Sequence, residues 1–344
     1  MRRLNRHAAL DRRRLPSDKS FPGNRPIEDG DDEDAPMAVR LFMSSGDLLA
    51  DRRFDFARDL QLRGDLAAAI GLLEQAIELA PGFVSAWFTL GDICEQLGDR
   101  DKAVEAFRAA LAVDPADRHG AALRLMRMGE QPLATPSPGY VRALFDQYAP
   151  KFEAALVDDL GYRGPAILFK AVLAARNAVR KPAFFKRAID LGCGTGLAAQ
   201  AFAKEVVGFI GIDLSPRMIE KARATGLYAQ LEVADMVQGL AARPEASADL
   251  ILAADAVIYL LHLAPLLREA ARVLVPGGLF AFTTETHSGD GVILGEGLRY
   301  AHSASYVRAA VAGAGLTLSR LDDLSARNED NTPVPGLVVV ATRP

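Results

Sequence analysis

Cysteine is nearly absent: Cys94 and Cys193 are the only two in 344 residues. They fall in segments assigned below to different domains, so neither a disulfide framework nor a paired metal site is expected. A reducing, cytoplasmic setting fits that scarcity. The five histidines show no ligand spacing, and no metal is expected. No apolar run approaches the roughly 18 residues of a membrane span. No apolar stretch follows the N-terminal arginines, so no signal peptide is read. The net charge of −4 offers no basic excess for nucleic acid, and that partner class is set aside. What remains is 50% hydrophobic and 24% charged sequence, ordinary for a soluble globular chain of about two domains.

The ends of the chain differ sharply. Arg2, Arg3, Arg6, Arg12, Arg13 and Arg14 crowd the first fifteen residues, and six acids lie between Glu28 and Asp34. Like-charge blocks with little apolar material cannot bury a core, so residues 1–43 are expected to be a disordered charged tail. A nucleic-acid arm or targeting segment is one reading; a dispensable tail, or a start codon placed too early, is the plainer one. Met37 and Met43 sit where ordered sequence begins, which leaves the place of residues 1–36 in the native product open.

From residue 44 to 130 the chain repeats itself. Gly64 and Gly98 are 34 apart, as are Ala69 and Ala103, Ala76 and Ala110, and Pro81 and Pro115. Each unit reads as two amphipathic helices with a glycine turn between them and a proline ending the second. In the second unit Trp87, Leu90, Gly91, Cys94, Gly98, Ala103, Phe107, Ala110 and Pro115 share one register. The module resembles tetratricopeptide repeats on those nine positions. Residues 118–128 can supply a capping helix: Met128 lies 34 after Cys94, although Ala121 and Arg124 stand where Trp87 and Leu90 do. The resemblance implies a stacked all-α domain with a concave protein-binding surface.

Three prolines, Pro132, Pro136 and Pro138, mark a linker over residues 131–139. Beyond it, Tyr140 to Leu156 follows helical spacing with Val141, Leu144, Phe145, Tyr148 and Phe152 in one stripe. A second helix is expected from about Pro165 to Val179.

Strands and helices then alternate through residue 344. Strands are expected at Arg187–Leu191, Val207–Leu214, Ala229–Ala234, Ala248–Ala254, Leu279–Thr284, Leu316–Leu321 and Leu337–Ala341. Helices are expected at Leu197–Lys204, Pro216–Thr225, His262–Val273 and Ser303–Gly313, with Pro276-Gly277-Gly278 a turn. Continuous apolar strands between helices predict a mostly parallel seven-stranded sheet covered on both faces, an α/β Rossmann-like domain over residues 140–344. Ligands of such sheets sit at the C-terminal strand ends.

Polar residues gather at those ends. Asp190 closes the first strand and leads into Gly192-Cys193-Gly194-Thr195-Gly196, a tight turn that opens a helix. Asp213, Asp235 and Asp255 follow the next three strands. Gly194 to Ala199 taken alone also fits the dinucleotide pattern of an NAD enzyme. The longer string from Asp190 to Gly196 suits S-adenosylmethionine better. That cofactor has no pyrophosphate to cradle, and its two cationic groups suit an acidic rim.

Residues 140–344 resemble class I S-adenosylmethionine-dependent methyltransferases. The resemblance rests on the glycine string, on Ile210-Gly211-Ile212-Asp213-Leu214-Ser215-Pro216-Arg217-Met218, on Val233-Ala234-Asp235-Met236, on Ala254-Asp255-Ala256, and on Leu274-Val275-Pro276-Gly277-Gly278-Leu279. It implies that Gly192, Gly194 and Gly196 surround the methionyl part of the cofactor and that Asp213 binds ribose, with Asp190, Cys193, Leu214 and Met218 among the expected cofactor contacts. Asp235 and Met236 would frame adenine, and Asp255 would lie near the methyl group or acceptor. Phe145 to Phe152, with Tyr148, is similar to an entry helix that closes over the cofactor in ubiquinone- and biotin-pathway methyltransferases.

Methyl transfer needs a base only where the acceptor must lose a proton. Glu285 and His287 at the end of the fifth strand, and Tyr300 and His302 beyond it, are the candidates; Glu285, His302 and Asp255 are the catalytic expectations. The acceptor is expected to be a small molecule attacking through O or N. A protein substrate presented by the repeats, a non-catalytic cofactor-binding scaffold, and an NAD-dependent oxidoreductase remain as alternatives.

Overall fold

The structure is a computed structural model describing residues 41–150, 152, 162–329 and 331–344. The expected tail through residue 40, and part of the expected helix Tyr140–Leu156, lie outside the described residues.

Among the described residues five helices come first: α1 (Leu48–Leu62), α2 (Leu66–Leu79), α3 (Val84–Gln96), α4 (Arg100–Val113) and α5 (Ala121–Arg127). Their limits follow from local chemistry. Asp47, Asp65 and Asp99 accept backbone N–H groups at the starts of α1, α2 and α4, satisfying donors a helix leaves orphaned. The turns between paired helices pass through Gly64 and Gly98 at φ +80° and +77°, which glycine adopts without a Cβ penalty. Gly91 shows why the register demands a small residue. A Cβ there would lie 2.7 Å from the Phe107 ring, so α3 and α4 could not approach as they do. Ala69, Leu73, Ala76, Ile93, Cys94, Ala103, Phe107, Ala110, Ala121 and Leu125 share one core.

Next come α6 (Pro138–Tyr148) and α7 (Gly164–Ala178). The chain then alternates β1 (Ala188–Leu191), α8 (Leu197–Ala201), β2 (Phe209–Asp213), α9 (Pro216–Ala224), β3 (Tyr228–Val233), α10 (Met236–Ala241), β4 (Ala248–Ala253) and a 3-10 turn, Val257–Tyr259. It finishes with α11 (Ala264–Val273), β5 (Leu274–Glu285), β6 (Val292–Leu294), β7 (Tyr300–His302), α12 (Ala304–Gly313), β8 (Thr317–Asp323), β9 (Asn328–Glu329), β10 (Thr332–Pro333) and β11 (Gly336–Thr342).

The main sheet runs β3-β2-β1-β4-β5-β11-β8. The pairs from β3 to β5 are parallel, whereas β11 is antiparallel to both β5 and β8. All seven expected strands are present. Strand β11 shows why both faces are covered. Leu337, Val339 and Ala341 point into the core with α11 and α12, while Val338 and Val340 point into the core with α7 and α8, the alternation a pleat imposes.

Three local expectations change. The short helix α10 and the β6–β7 pair had no periodic signal strong enough to read. Strand β5 begins at Leu274 rather than Leu279: Gly277 N–H donates to the Arg343 carbonyl and Arg343 N–H to that of Gly278, so the Pro276-Gly277-Gly278 turn continues the ladder. Residues 41–43 leave the tail and pack on the repeats.

Repeats and sheet belong to one unit, Met37–Pro344. The expected linker is held rather than free. Ser137 Oγ donates to the Ala116 carbonyl, and Tyr300 donates its hydroxyl to the carbonyl of Ala134. Arg127 also reaches the Glu296 carbonyl at 3.0 Å.

Candidate cofactor and acceptor site

The glycine turn leaves β1 with Gly192, Gly194 and Gly196 at φ +62°, +53° and +99°. These left-handed angles favour glycine. A Cβ on Gly192 would meet Ala256 Cβ at 2.6 Å, and one on Gly196 would crowd Thr225 and Tyr228 at 3.3 Å. Gly194 is different: its nearest neighbour on that side is the Phe152 ring, at 3.6 Å. An aromatic ring from the expected entry segment therefore stands over the turn. Thr195 Oγ1 is buried beside it and has no hydrogen-bond partner among the described residues, although buried hydroxyls normally have one.

The acids at the strand ends do not form an open rim. Asp190 is 1% exposed and accepts the Tyr228 hydroxyl at 2.7 Å. Burial pushes its pKa up to about 7, with the Tyr228 bond pulling the other way and the Asp213 charge adding to the rise. Asp213 receives the Gly194 N–H at 2.9 Å and the Ser215 N–H at 2.8 Å. Burial raises it to about 6 against those bonds. The carboxylate thus ties the glycine turn to the loop after β2. Asp235 caps α10 with Oδ1, at 2.9 Å from the Val237 N–H and 3.1 Å from that of Gln238. Met236 follows it, packed against the sheet core.

Helix α6 is fastened to the same loop. Arg142 Nε donates to the Leu214 carbonyl at 3.1 Å, and Ser215 Oγ donates to Asp146 Oδ1 at 2.5 Å. Ser215 also caps α9 at Met218 N–H, and the Met218 side chain is fully buried. At its other end α6 meets the repeats: the Tyr140 ring lies where a Cβ on Gly120 would be, 2.6 Å away. One helix therefore touches both the repeats and the Asp213 loop.

Beyond β4 and β5 the site changes character. Asp255 has φ +56°, a conformation that costs a non-glycine residue about 1–3 kcal/mol and concentrates at functional sites. Its carboxylate pairs with Arg327, which is 4% exposed and also holds Glu285. Arg299 Nε binds Glu285 at 2.6 Å, and both arginines reach Glu329. Aromatics line this cluster. Phe145 packs edge-on against Phe152 at 6.2 Å and against Tyr259 at 5.5 Å. Burial, then the Asp255 charge, pushes the Tyr162 hydroxyl well above its usual value, with Arg327 opposing and Asp190 adding to the rise. Tyr162 therefore lies within reach of both clusters. Burial also raises Tyr148, with Arg299 acting against the rise.

Several expected roles do not survive the geometry. His302 is 0% exposed, and burial lowers it to about 4. Its Nε2–H donates to the Leu260 carbonyl at 2.9 Å, and Nδ1 accepts from Thr284 Oγ1 at 2.8 Å. Neither nitrogen is left to take a proton, so His302 is a structural residue. His287 closes a loop, bonding the Gly291 carbonyl and the Gly289 N–H. Tyr300 is spent on the linker. Glu285 and Asp255 are held in ion pairs, and neither stands as a free base. The Cys193 thiol packs with Ile219 and Ala222, and burial raises its pKa well above normal. Arg299, Arg327, Tyr162, Tyr228 and Tyr259 escaped the sequence reading. They lie outside the recognised strings, and no spacing joins them.

Residues 189–282 match the family model described as a methyltransferase domain, and residues 60–125 match a tetratricopeptide repeat. The chain carries a methyltransferase domain behind tetratricopeptide repeats. Among curated relatives, human methyltransferase-like protein 27 is 33% identical over 154 residues, covering 42% of this chain and 57% of the relative. A ubiquinone biosynthesis O-methyltransferase from Xanthomonas oryzae is 31% identical over 101 residues, 28% of this chain and 42% of the relative. A trans-aconitate 2-methyltransferase from Methylobacterium nodulans is 35% identical over 113 residues, 32% and 42% of the two chains. The chain spans about half the length of the curated relatives it matches.

Proposed function

We propose that the protein is an S-adenosylmethionine-dependent methyltransferase acting on an oxygen or nitrogen of a small molecule. The observation that carries this reading is the tie from Asp213 to Gly194, which joins the glycine turn to the loop after β2, beside a buried Thr195 hydroxyl without a partner among the described residues. That arrangement fits the cofactor. Gly192, Gly194 and Gly196 would admit its methionyl part, and Thr195 Oγ1 would gain its missing bond. Asp213 with Leu214 would hold ribose, and Asp235 with Met236 would frame adenine. Asp190 supports the turn from beneath through Tyr228. The division proposed with it assigns residues 44–130 to the repeats, 131–139 to the connection and 140–344 to catalysis, in a cytoplasmic setting suited to the two free cysteines.

Bound there, the cofactor supplies a methyl carbon already activated by its sulfonium. The chain's own contribution is alignment, which is worth about 7–11 kcal/mol in well-oriented reactions. Phe145, Phe152 and Tyr259 exclude water above the turn, and Arg327 fixes Asp255 and Glu285 at the acceptor end. An acceptor that carries a proton on its oxygen or nitrogen would lose it to solvent. No base is assigned, because the candidate carboxylates are engaged with arginine. The small-molecule class is supported by two relatives whose names carry ubiquinone biosynthesis and trans-aconitate.

The test is methyl-labelled S-adenosylmethionine incubated with the protein and a cell extract. Label in the low-mass fraction supports the reading. Label in protein would move the acceptor to a substrate presented by the repeats. Stabilisation by NAD and not by S-adenosylmethionine would overturn the cofactor assignment.

A further inference from the structure

The three repeat units carry one structural position 34 residues apart: Asp51, Ser85 and His119, in or just before the first helix of each unit. All three face the same short segment, residues 41–45. The backbone of Leu41 reaches the His119 imidazole. Met43 N–H donates to Ser85 Oγ at 2.8 Å, and Ser85 Oγ returns a bond to the Met43 carbonyl at 3.2 Å. Ser45 N–H donates to Asp51 Oδ1 at 2.8 Å, while the Ser44 hydroxyl reaches Oδ2 at 2.5 Å. The segment crosses the units in reverse order, third to second to first, and then turns at Gly46 (φ +82°) into α1.

Side chains follow the same plan. The Phe42 ring lies 5.4 Å from Phe54 and 6.2 Å from Phe83. Phe54 is the residue 34 before Phe88, and Phe88 packs at 5.5 Å from His119. Met43 packs against the repeat core. Ser85 and His119 bond each other at 3.1 Å, closing the floor of the groove. The Asp51 contacts are local, reaching back six and seven residues to Ser45 and Ser44. The weight rests on Ser85 and Phe83, 42 and 41 residues away from their partners in the chain.

Paired N–H and C=O bonds to one side chain, with an aromatic anchor beside them, are how a groove reads extended backbone. We propose that the face of the repeats carrying Asp51, Ser85 and His119 is a peptide-reading groove occupied in cis by residues 41–45, so that a partner must displace this strap before it can dock. The strap's own pattern, an aromatic followed by an apolar residue and two serines, defines the chemistry a competing segment must offer. Phe42 remains 48% exposed, so the anchor is only partly sunk. An anchor of that kind can be exchanged.

The experiment uses the full chain. In the wild type, the Met43 and Ser45 amides should exchange with deuterium far more slowly than in a free peptide of residues 41–47. Ser85→Ala should speed Met43 exchange about tenfold, the effect of one hydrogen bond. A labelled peptide of residues 41–47 should bind a Phe42→Ser, Met43→Asp double variant, whose groove walls are intact, and should not bind wild type. Circular dichroism confirms that both variants keep their helices. Three results overturn the proposal: wild-type exchange at the free-peptide rate, equal or no peptide binding in both chains, or Met43 protection that falls on dilution, which would mean a second copy supplies the strap.

Discussion

Tyr228 hands its hydroxyl to Asp190 across 2.7 Å, linking the first residue of β3 to the acid one residue before the end of β1. The bond opposes a burial that lifts Asp190 to about 7. A carboxyl raised in the folded state contributes its stability at low pH, and that contribution is lost as pH climbs from about 4 to the folded value. Asp190→Asn should therefore gain in Tm over wild type as pH goes from 5 to 8, measured by differential scanning fluorimetry. A difference flat with pH would contradict the burial argument. Tyr228→Phe should cost about 1–3 kcal/mol, most at pH 8, where the carboxylate left behind is charged.

Asp213 joins two backbone donors, and under the proposed function it also binds ribose. Asp213→Ala should weaken S-adenosylmethionine binding at least about tenfold, read by calorimetry as a loss of one charge-assisted bond. In wild type the affinity should rise between pH 5 and 8 as Asp213, raised to about 6 by burial, becomes ionised. Unchanged affinity in the variant would remove Asp213 from the ribose site.

Gly120 sits at φ +81° with the Tyr140 ring against its missing Cβ. Gly120→Ala adds backbone strain and a clash at the joint between repeats and α6. A loss of about 1–3 kcal/mol in urea unfolding is expected. Under the proposed function, cofactor affinity falls with it, because α6 carries Arg142 and Asp146 to the Asp213 loop. Affinity unchanged alongside a stability loss would show that the joint is structural only.

Arg327 is the buried cation among Asp255, Glu285 and Glu329. Arg327→Met should destabilise by about 3–5 kcal/mol, since it strands the Asp255 carboxylate, while Glu285 and Glu329 keep Arg299. Adding Asp255→Asn should recover part of that loss. A double-mutant cycle with no coupling would separate Arg327 from Asp255.

His302→Gln should lower Tm by the cost of a poorly satisfied buried site, about 1–3 kcal/mol. The pH–rate profile should keep its shape. A profile that loses a limb would restore His302 as a base.

The sheet and repeats were legible because their signals are local and periodic. The 34-residue register needs only Gly64, Gly98, Ala69 and Ala103 to be seen, and continuous apolar strands between helices define a mostly parallel sheet. Asp190, Asp213 and Asp235 were found because each closes or follows a strand. Their environment was not legible, since an acid at a strand end reads alike whether it faces water or, as Asp190 does, a tyrosine in the interior. The base candidates failed for that reason too: nothing near His302 in the chain reveals that Leu260 and Thr284 bracket it.

Sequence alone determined the repeats, the order of strands and helices and the glycine turn, because each is set by neighbours within a few turns of chain. Tertiary structure decided the rest. It brought Arg327 and Arg299 to Asp255 and Glu285, set Phe152 over Gly194, and laid residues 41–45 across Ser85 and His119. Those pairings join residues from 14 to 78 positions apart, and burial, charge and shape select them only once the whole chain has packed.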